Sequence, residues 1–389
     1  QHPPTGSPAV CAAIAALNLN VDTPPGQPFS PRKAPAEKHA EVYKANGWHM
    51  SWRSGRFKPS EYTSAGRLKG GQRLNHFPKS GAITRKDTLM RHIRKMRKIH
   101  GAVYDFLPDG FLLPSEYTKF VEEYTRSNSD LSKGGGANDR TIWICKPSDS
   151  SRGRGVFLIR DLNELAYDQQ YIAQRYIDRP LTIGGYKFDL RLYVLVTSFH
   201  PMRAYLYKDG LVRFGTEKYD ASNSSDLSNL FSHLTNSSIN KYSPSLSSEK
   251  EVIGAGCKWD FHQLRAWFRM GGDAAASAAT SGSGGSGVDE AVGDALYEAL
   301  WSRIRNVINL TLLVLTPIVP ARDDAACFEL FGFDILVDDA MNPILLEVNC
   351  SPALGADCPA DLRVKIPLLS DLTDLLDIEE SVRSQLAAQ

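Results

Sequence analysis

The chain has 389 residues, of which 42% are hydrophobic and 23% are charged, a composition typical of a globular protein with two or three subdomains. The formal net charge of +1 does not identify a class of partner, and neither nucleic-acid nor membrane binding is expected. Val307–Ala321 is the longest apolar run, and it is too short to span a bilayer. The six cysteines form no CxxC pair, which favours reduced thiols over a disulfide framework or a zinc site.

Two N-terminal regions precede the first clear run of strands. Residues 1–40 are rich in proline and alanine and are expected to be loose. Within them, the mildly apolar stretch Ala9–Val21 has no basic segment before it, so no signal peptide is expected. Residues 41–140 are predicted to form a small mixed domain.

A basic helix is predicted inside this small domain, from Asp87 to His100, with Asp87 as its N-cap and Gly101 as its stop. Four residues form its apolar stripe: Leu89, Ile93, Met96 and Ile99. The rest of its surface is cationic: Arg91, Arg94, Lys95, Arg97 and Lys98. Such a surface is either simply solvated or a docking site for an acidic partner.

From residue 141 onward, short β runs separated by short connections predict an α+β fold with mostly antiparallel sheets. Residues 141–215 are expected to form a central domain and residues 216–389 a C-terminal domain with a flexible Gly-rich insertion at 271–290. The predicted strands are Thr141–Lys146, Gly155–Ile159, Tyr171–Tyr176, Lys187–Ser198, Met202–Lys208, Leu211–Thr216, Cys327–Val337 and Pro343–Asn349. The predicted helices are Asp161–Asp168, Asp289–Thr316 and Val364–Ser381.

The last two strands form a hairpin with two carboxylates. If Val337 pairs with Ile344 across the turn, Asp334 lies opposite Glu347, and Asn349 shares the face of Glu347 because side chains alternate along a strand. Facing carboxylates repel each other, and apolar neighbours would leave them poorly hydrated. Since carboxylate and amide oxygens suit Mg²⁺, the trio predicts a magnesium site. The alternative is an accidental surface pair or a pair that shares one proton.

A second polar pattern lies in the strand that begins at Lys187. Alternation places Lys187, Asp189, Arg191 and Tyr193 on one face and apolar residues on the other. Two cations around one anion in a core strand suggest an anionic ligand such as a triphosphate or an acyl phosphate. A structural ladder of ion pairs is the alternative.

Three further segments contribute weaker signals. The small-residue loop from Lys146 to Gly155 would let backbone N–H groups approach phosphate, although it is not a Walker A loop and a plain turn fits equally well. His233–Lys241 is a polar cluster that could orient phosphate and a nucleophile. Arg213 either binds a substrate carboxylate or pairs with Glu217.

Together and in this order, these segments resemble the tubulin–tyrosine ligase-like family, and its glutamylase branch in particular, over roughly residues 75–374. The segments that carry the resemblance are KPSDSSRGRGVFLI, QRYI, YKFDLRLYVLV, VRFGTEKYD, SHLTNSSINK, FELFGFDILVD and LLEVNCSPAL. The resemblance implies an ATP-grasp fold after a small mixed N-terminal domain. Ile344 stands where the family commonly has Trp, and the 271–290 insertion is unusual, but neither departure removes a ligand.

The resemblance also implies a role for each matching residue. ATP would be held by Lys146, Arg152, Gly153, Gln174, Arg175, Tyr176, Ile177, Lys187, Phe188, Asp189, Thr235 and Asn236. Magnesium would be bound by Asp334, Glu347 and Asn349. The incoming amino acid would be held by Arg213, Ser238 and Lys365. The catalytic residues would be Arg191, which is expected to stabilise an acyl phosphate, and Lys241.

The function that the resemblance implies is ATP- and Mg²⁺-dependent ligation of free L-glutamate to glutamate side chains in tubulin C-terminal tails, through an acyl phosphate. The location would be the cytoplasm and cytoskeleton, extending to the cilium or basal body, and the chain is expected to be a monomer. Arg213 and Lys365 supply two cations for the two carboxylates of glutamate. Three alternatives stay open: a glycine ligase of the same family, a non-catalytic microtubule-binding protein, and a small-molecule ATP-grasp ligase.

Overall fold

The computed structural model describes residues 50–62, 72–129, 141–148, 154–165, 170–219, 227, 229–240, 242–243, 257–273, 289–321 and 326–376. The segment 1–40, most of the Gly-rich insertion and three candidate site residues lie outside this part of the chain. Those three residues are Arg152, Gly153 and Lys241.

Two antiparallel sheets dominate the described residues, which confirms the predicted α+β class. The larger sheet has the order β10-β9-β8-β11-β12, with β7 beside β8. It comprises β7 (Thr182–Ile183), β8 (Tyr186–Phe199), β9 (Met202–Lys218), β10 (Lys258–Asp260), β11 (Glu329–Val337) and β12 (Pro343–Asn349). The smaller sheet has the order β3-β6-β4-β5 and comprises β3 (Gly110–Leu113), β4 (Trp143–Pro147), β5 (Phe157–Ile159) and β6 (Tyr171–Arg175). A short parallel pair, β1 (Met50–Ser51) with β2 (Arg73–Leu74), lies N-terminal to both.

Helices cover the sheets and connect them. They are α1 (Pro59–Tyr62), α2 (Gly81–Thr84), α3 (Lys86–His100), α4 (Tyr117–Asn128), α5 (Leu230–His233), α6 (Ser237–Asn240), α7 (Phe261–Arg269), α8 (Glu290–Leu313) and α9 (Pro359–Leu375). The predicted helix at Asp161–Asp168 is a short 3₁₀ turn, Leu162–Glu164, in the described part of that segment. Within the described ranges, no helix has both the length and the apolarity needed to cross a bilayer.

The basic helix α3 forms as predicted, with two corrections. It begins at Lys86, so Asp87 lies in its first turn and Arg85 is the N-cap residue. Ile99 is 61% exposed, whereas Met90 is buried with Leu89 and Ile93. The reason is geometric: each step of three residues falls about 60° short of a full helical turn, so the spacing drifts off the buried face by Ile99.

Strand β9 is continuous where the sequence predicted two strands. Its pairing with β8 shifts by two residues between Leu192 opposite Gly210 and Val194 opposite Leu206, so a bulge absorbs the Asp-Gly step without ending the strand. Glycine is required there because a Cβ on Gly210 would lie 2.5 Å from the backbone oxygen of Arg191.

The register assumed for the hairpin was wrong by one residue at its turn. Val337 pairs with Pro343, not with Ile344. An irregularity between Asp334 and Ile335 then skips one residue of β12 and brings Asp334 opposite Glu347. The predicted pairing of the two carboxylates is therefore confirmed, although the count that led to it was not.

The two faces of β8 have different environments. Phe188, Leu190 and Leu192 belong to the main core, which also contains apolar residues of α7 and α8. Tyr193 and Leu195, on the opposite face, belong to a second core with the apolar side of α9. Because β3 pairs with β6, a boundary at residue 141 would divide one sheet. The domain boundaries stay predictions.

A buried carboxylate ties β11 to the segment before α2. The two oxygens of Glu329 lie 3.0 Å from the His76 ring Nδ1, 3.1 Å from the Phe77 backbone nitrogen and 3.1 Å from the Ser80 hydroxyl. Glu329, His76 and Ser80 are fully buried. The contacts fix the start of the strand that carries Asp334.

We expect Glu329→Ala to lower the free energy of unfolding by roughly 3 kcal/mol or more, because three buried polar groups lose their partner. Chemical denaturation measures the loss. The matched control is Glu298→Ala on α8, whose carboxylate is half-exposed and contacts Arg265 at 3.3 Å. Equal stability of the two variants would contradict the anchoring role.

Candidate active site

A cleft lies between the two antiparallel sheets. Its walls come from β4 and β6 on one side and from β8, β11 and β12 on the other, with the α5–α6 segment closing one end. Eleven of the sequence-predicted residues line it: Lys146, Gln174, Arg175, Tyr176, Ile177, Lys187, Asp189, Thr235, Asn236, Asp334 and Glu347.

The predicted metal ligands meet at one end of the cleft. Asp334 and Glu347 are direct cross-strand partners. Asn349 Nδ2 lies 3.3 Å from Glu347 Oε1 and 3.5 Å from Asp334 Oδ2. The described residues hold no group of three or more His, Cys, Asp or Glu side chains suited to a metal, so an ion here would depend on two carboxylates and one amide.

This donor set fits Mg²⁺, which takes oxygen ligands, needs only one or two protein carboxylates and retains several waters. A half-turn of the Asn349 amide would exchange its nitrogen for its oxygen toward both carboxylates, since the two amide orientations occupy nearly the same volume. On the other side of the pair, Glu347 Oε2 lies 3.6 Å from Lys86 Nζ.

Two arginines clasp the buried carboxylate of Asp334. Arg191 donates to it through Nε at 2.6 Å and Nη2 at 3.0 Å, and Arg213 Nη2 lies 2.9 Å away. Burial alone would raise the pKa of Asp334, but the adjacent guanidinium groups of Arg191 and Arg213 hold that pKa well below its usual range. The carboxylate is therefore ionised at neutral pH.

Asp189 extends this network along the sheet. Its two oxygens accept hydrogen bonds from Arg213 Nε at 2.7 Å and Nη2 at 2.6 Å, and Thr235 Oγ1 donates to it at 2.6 Å. The register explains the contacts, because Asp189 lies opposite Arg213 and Asp334 lies opposite Arg191. Arg213 thus pairs with Asp189 and Asp334 rather than with Glu217, the partner considered from the sequence.

Two lysines bring positive charge to the cleft. Lys187 Nζ donates to the Tyr176 hydroxyl at 2.7 Å and lies 4.2 Å from the centre of that ring. Lys146 Nζ donates to Gln174 Oε1 at 2.8 Å. Burial lowers the pKa of Lys187 to about 7, and burial with the charge of Lys86 lowers the pKa of Lys146 to about 8. A bound anion would favour the charged form of both.

Several predicted residues are not among those that line the cleft. Phe188 is buried in the main core against Phe214, so its side chain faces away from Lys187 and Asp189, and the placement does not support nucleotide contact through that ring. Lys365 is a buried residue of α9, and its Nζ lies 2.7 Å from Asp361 of the same helix. Ser238 lies in α6.

The sequence interpretation missed three polar residues of the cleft: Lys86, Arg154 and His233. His233 Nδ1 lies 2.9 Å from the Tyr176 hydroxyl, so it belongs to the same chain of contacts as Lys187. Its place two residues before Thr235 was the available signal. Lys86 gave no signal, because it precedes a helix whose basic residues were assigned to an outer surface.

The tubulin-tyrosine ligase family model matches residues 65–280 and 288–383. The chain belongs to the tubulin-tyrosine ligase family. The probable tubulin polyglutamylase TTLL2 of Homo sapiens is 44% identical over 337 residues, or 85% of this chain and 50% of that protein. Its Mus musculus counterpart is 42% identical over 334 residues, or 85% and 55%. Tubulin polyglutamylase TTLL5 of Mus musculus is 38% identical over 331 residues, or 84% and 22%.

The chain therefore spans about half the length of the two TTLL2 relatives and about a fifth of TTLL5. The family predicted from the motifs is confirmed, and the relatives named here carry glutamylase names, as the resemblance to that branch implied. The matched residues include both sheets of this tubulin-tyrosine ligase family member and every described side chain of the cleft.

We expect Lys187→Met to raise the free energy of unfolding of the ligand-free chain at about pH 7. Because burial lowers the folded pKa of Lys187 from 10.5 to about 7, the unfolded chain binds more protons between these values, and wild-type stability rises with pH there. The difference in free energy of unfolding between Lys187→Met and wild type should be largest below about pH 7 and should decrease as the pH rises toward about 9.5.

Denaturant unfolding over this pH range measures the difference, with the exposed Lys119→Met as the control. A Lys187→Met variant that is less stable than wild type at every pH would contradict the burial penalty, as would a stability difference independent of pH.

Proposed function

We propose that this chain is an ATP- and Mg²⁺-dependent ligase that adds glutamate to glutamate side chains of tubulin C-terminal tails. The observation that carries the proposal is the meeting of Asp334, Glu347 and Asn349 at one end of a cleft that is also lined by Lys146 and Lys187. Family membership and the names of the relatives support the same chemistry. We place the activity in the cytoplasm, on the cytoskeleton, including the cilium or basal body.

The cleft has separate parts for the two ends of ATP. Gln174–Ile177 form the end of β6 and the residues after it, and the apolar side chains of Ile144, Leu336 and Leu346 also line the cleft and would shield an adenine ring from water. Lys146 and Lys187 face the middle, where their ammonium groups would neutralise phosphate oxygens. Arg152 and Gly153, which lie outside the described residues, are proposed as further phosphate contacts on the strength of the motif alone.

The residues at the acidic end would hold the metal. Magnesium bound by Asp334, Glu347 and Asn349 would neutralise phosphate charge during transfer. Arg191 keeps Asp334 ionised and oriented through two hydrogen bonds, and its charge lies where an acyl phosphate would form next to the metal. Lys241 and Ser238 are proposed from the motif to complete this end.

In the proposed reaction, the acceptor carboxylate attacks the γ-phosphorus of ATP and ADP leaves, which forms an acyl phosphate. The amine of free glutamate then attacks the acyl carbon, phosphate departs with the bonding electrons, and the nitrogen loses a proton. A carboxylate must be activated in this way because oxide is not a leaving group. The contribution of the protein is mainly positioning and electrostatic stabilisation.

The donor amino acid is assigned from the cations near Asp334. Lys365 and Arg213 are the two cations that match the two carboxylates of glutamate, whereas glycine would need one. Arg213 is already bound to Asp189 and Asp334, so Arg213→Ala would remove a cation shared by two buried carboxylates and would confuse loss of folding with loss of donor binding. A test of which amino acid the enzyme uses as donor therefore needs a substitution that does not disturb the buried ion pairs of Arg213.

We expect Glu347→Gln to reduce ATP-dependent incorporation of labelled glutamate into microtubules by at least about 100-fold, because it replaces a charged metal ligand with a neutral one. The measurement is label retained on microtubules over time, with labelled glycine supplied in a parallel reaction. Mass spectrometry of the tubulin tails identifies the product.

The matched control for this test is Glu122→Gln, an exposed residue of α4, which should incorporate glutamate at the wild-type rate. Equal incorporation by Glu347→Gln and wild type would refute the metal role. Incorporation of glycine in preference to glutamate would favour the glycine ligase.

A surface on α3 supports tubulin as the partner. Arg94 and Arg97 are held in ion pairs with Glu116, Asp105 and Asp109, so they contribute to the fold. Three other cations of the helix face solvent: Arg91, Lys95 and Lys98. Lys86 at the start of α3 lines the cleft, and the three exposed cations lie further along the same helix, where they would attract an acidic tail to this part of the molecule.

We expect the triple variant Arg91→Glu, Lys95→Glu and Lys98→Glu to weaken microtubule binding about tenfold at low salt, and the difference from wild type to shrink as salt rises. Cosedimentation measures binding. The control makes the same charge change at exposed positions elsewhere: Lys119→Glu, Arg203→Glu and Lys208→Glu. Equal weakening by both triples would show a general effect of charge and remove the role of α3.

A further inference from the structure

A second buried charge cluster lies under the start of α9. Asp361 Oδ1 lies 2.7 Å from Lys365 Nζ, and Asp361 Oδ2 lies 2.8 Å from Lys258 Nζ. The Asp361 side chain is fully buried, and both lysines are nearly so. Two ammonium groups therefore share one carboxylate in the interior. Among the described residues, one further carboxylate forms an ion pair with this cluster: Asp357, which is 3.9 Å from Lys258 and 82% exposed, so water screens its charge.

The cluster thus has an excess of one positive charge. The charge of Lys258 is enough to neutralise the Asp361 carboxylate. Lys365 Nζ therefore has two described partners: the carboxylate that it shares with Lys258, and the carbonyl oxygen of Gly355 at 2.5 Å. Burial lowers the pKa of Lys365, and the charges of Lys258 and Arg191 lower it further, against the opposing effect of Asp361. A buried cation in this condition favours an additional anion.

An unpartnered hydroxyl lies next to this excess charge. Tyr193 is 1% exposed, and its Oη has no hydrogen-bond partner among the described residues. Tyr193 packs in the second core with Val364 and Leu368 of α9, the helix that carries Asp361 and Lys365. The charges of Arg191 and Asp361 both act on its hydroxyl. Leaving a buried hydroxyl unpaired costs about 1–3 kcal/mol, and a ligand atom would remove that cost.

The strand order explains the juxtaposition. Tyr193 is two residues beyond Arg191 on the same face of β8, opposite Gly332 of β11. Lys258 lies opposite Arg213, on the edge strand β10 of the same sheet. Helix α9 packs over this face and brings Asp361 and Lys365 down onto it. A donor group, a cation and the reacting end of the cleft therefore lie along one face.

We infer that the Tyr193 hydroxyl, together with Lys365, binds a carboxylate of the incoming amino acid. This assignment rests on the proposed ligase function and adds Tyr193 to it as a substrate-binding residue. A carboxylate has two oxygens, and one hydroxyl donor plus one ammonium match them. Lys258 acts as a positioning residue, because by neutralising Asp361 it leaves the charge of Lys365 for the substrate.

The test is Tyr193→Phe, which removes one oxygen and keeps the ring in its core. We expect the KM for glutamate to rise about 10- to 100-fold, in line with the loss of one hydrogen bond to a charged group. The KM for ATP and kcat at saturating glutamate should change less than about twofold. Because the hydroxyl has no partner in the ligand-free chain, Tyr193→Phe should unfold at the same temperature as wild type or at a higher one.

The matched control is Tyr104→Phe, which removes a hydroxyl that donates to the Leu310 carbonyl oxygen at 3.3 Å, in the main core and away from the cleft. It should leave the KM for glutamate unchanged. A structural role for the Tyr193 hydroxyl would instead lower the unfolding temperature of Tyr193→Phe without a selective change in KM, and that result would overturn the inference.

Equilibrium binding separates this inference from the proposed function. Labelled glutamate is titrated into wild type and Tyr193→Phe loaded with a non-hydrolysable ATP analogue, and the variant should bind at least about tenfold more weakly. If wild type incorporates glutamate and Tyr193→Phe has an unchanged KM, only the subsite is wrong. If wild type neither incorporates nor binds glutamate, the proposed function and the subsite are both wrong.

Discussion

The buried carboxylate of Asp334 is the group on which the rest of the site depends. Removing a carboxylate from water costs several kcal/mol unless partners replace the lost hydration. Arg191 and Arg213 do so from one side, and Glu347 and Asn349 border it on the other. All four partners come from strands of one sheet, so strand register, rather than any loop, fixes the geometry at this end of the cleft.

The same sheet face places three functions in one row. Asp334 belongs to the proposed metal site. Lys187 belongs to the proposed phosphate contacts, and Tyr193 belongs to the proposed subsite for the incoming amino acid. Alternation along β8 keeps Lys187 and Tyr193 on one face, and Asp334 of β11 lies opposite Arg191 of that strand. The main core covers the other face of β8. The ammonium groups of Lys146 and Lys187 donate hydrogen bonds to neutral partners in the ligand-free chain. Anionic substrates would supply the negative charge that balances them.

Sequence reasoning succeeded where a short-range period decides the outcome. The two faces of β8 followed from alternation alone, and the Asp334–Glu347 pair survived a wrong register because a bulge skipped one residue of β12. That bulge, and the unbroken path of β9 past Gly210, depend on packing between strands that a single sequence does not reveal. Lys86 was missed for the same reason, since only the tertiary fold brings the start of α3 to Glu347.

The most direct test of the central claim is to locate the metal. Crystals of the chain grown with Mn²⁺ and a non-hydrolysable ATP analogue would reveal the ion by anomalous scattering. We expect an anomalous-density peak about 2 Å from carboxylate oxygens of both Asp334 and Glu347, with the phosphates of the analogue on the cleft side of the ion. A nucleotide bound in the cleft with the ion elsewhere, or Asp334 still clasped by both arginines and without a metal contact, would contradict it.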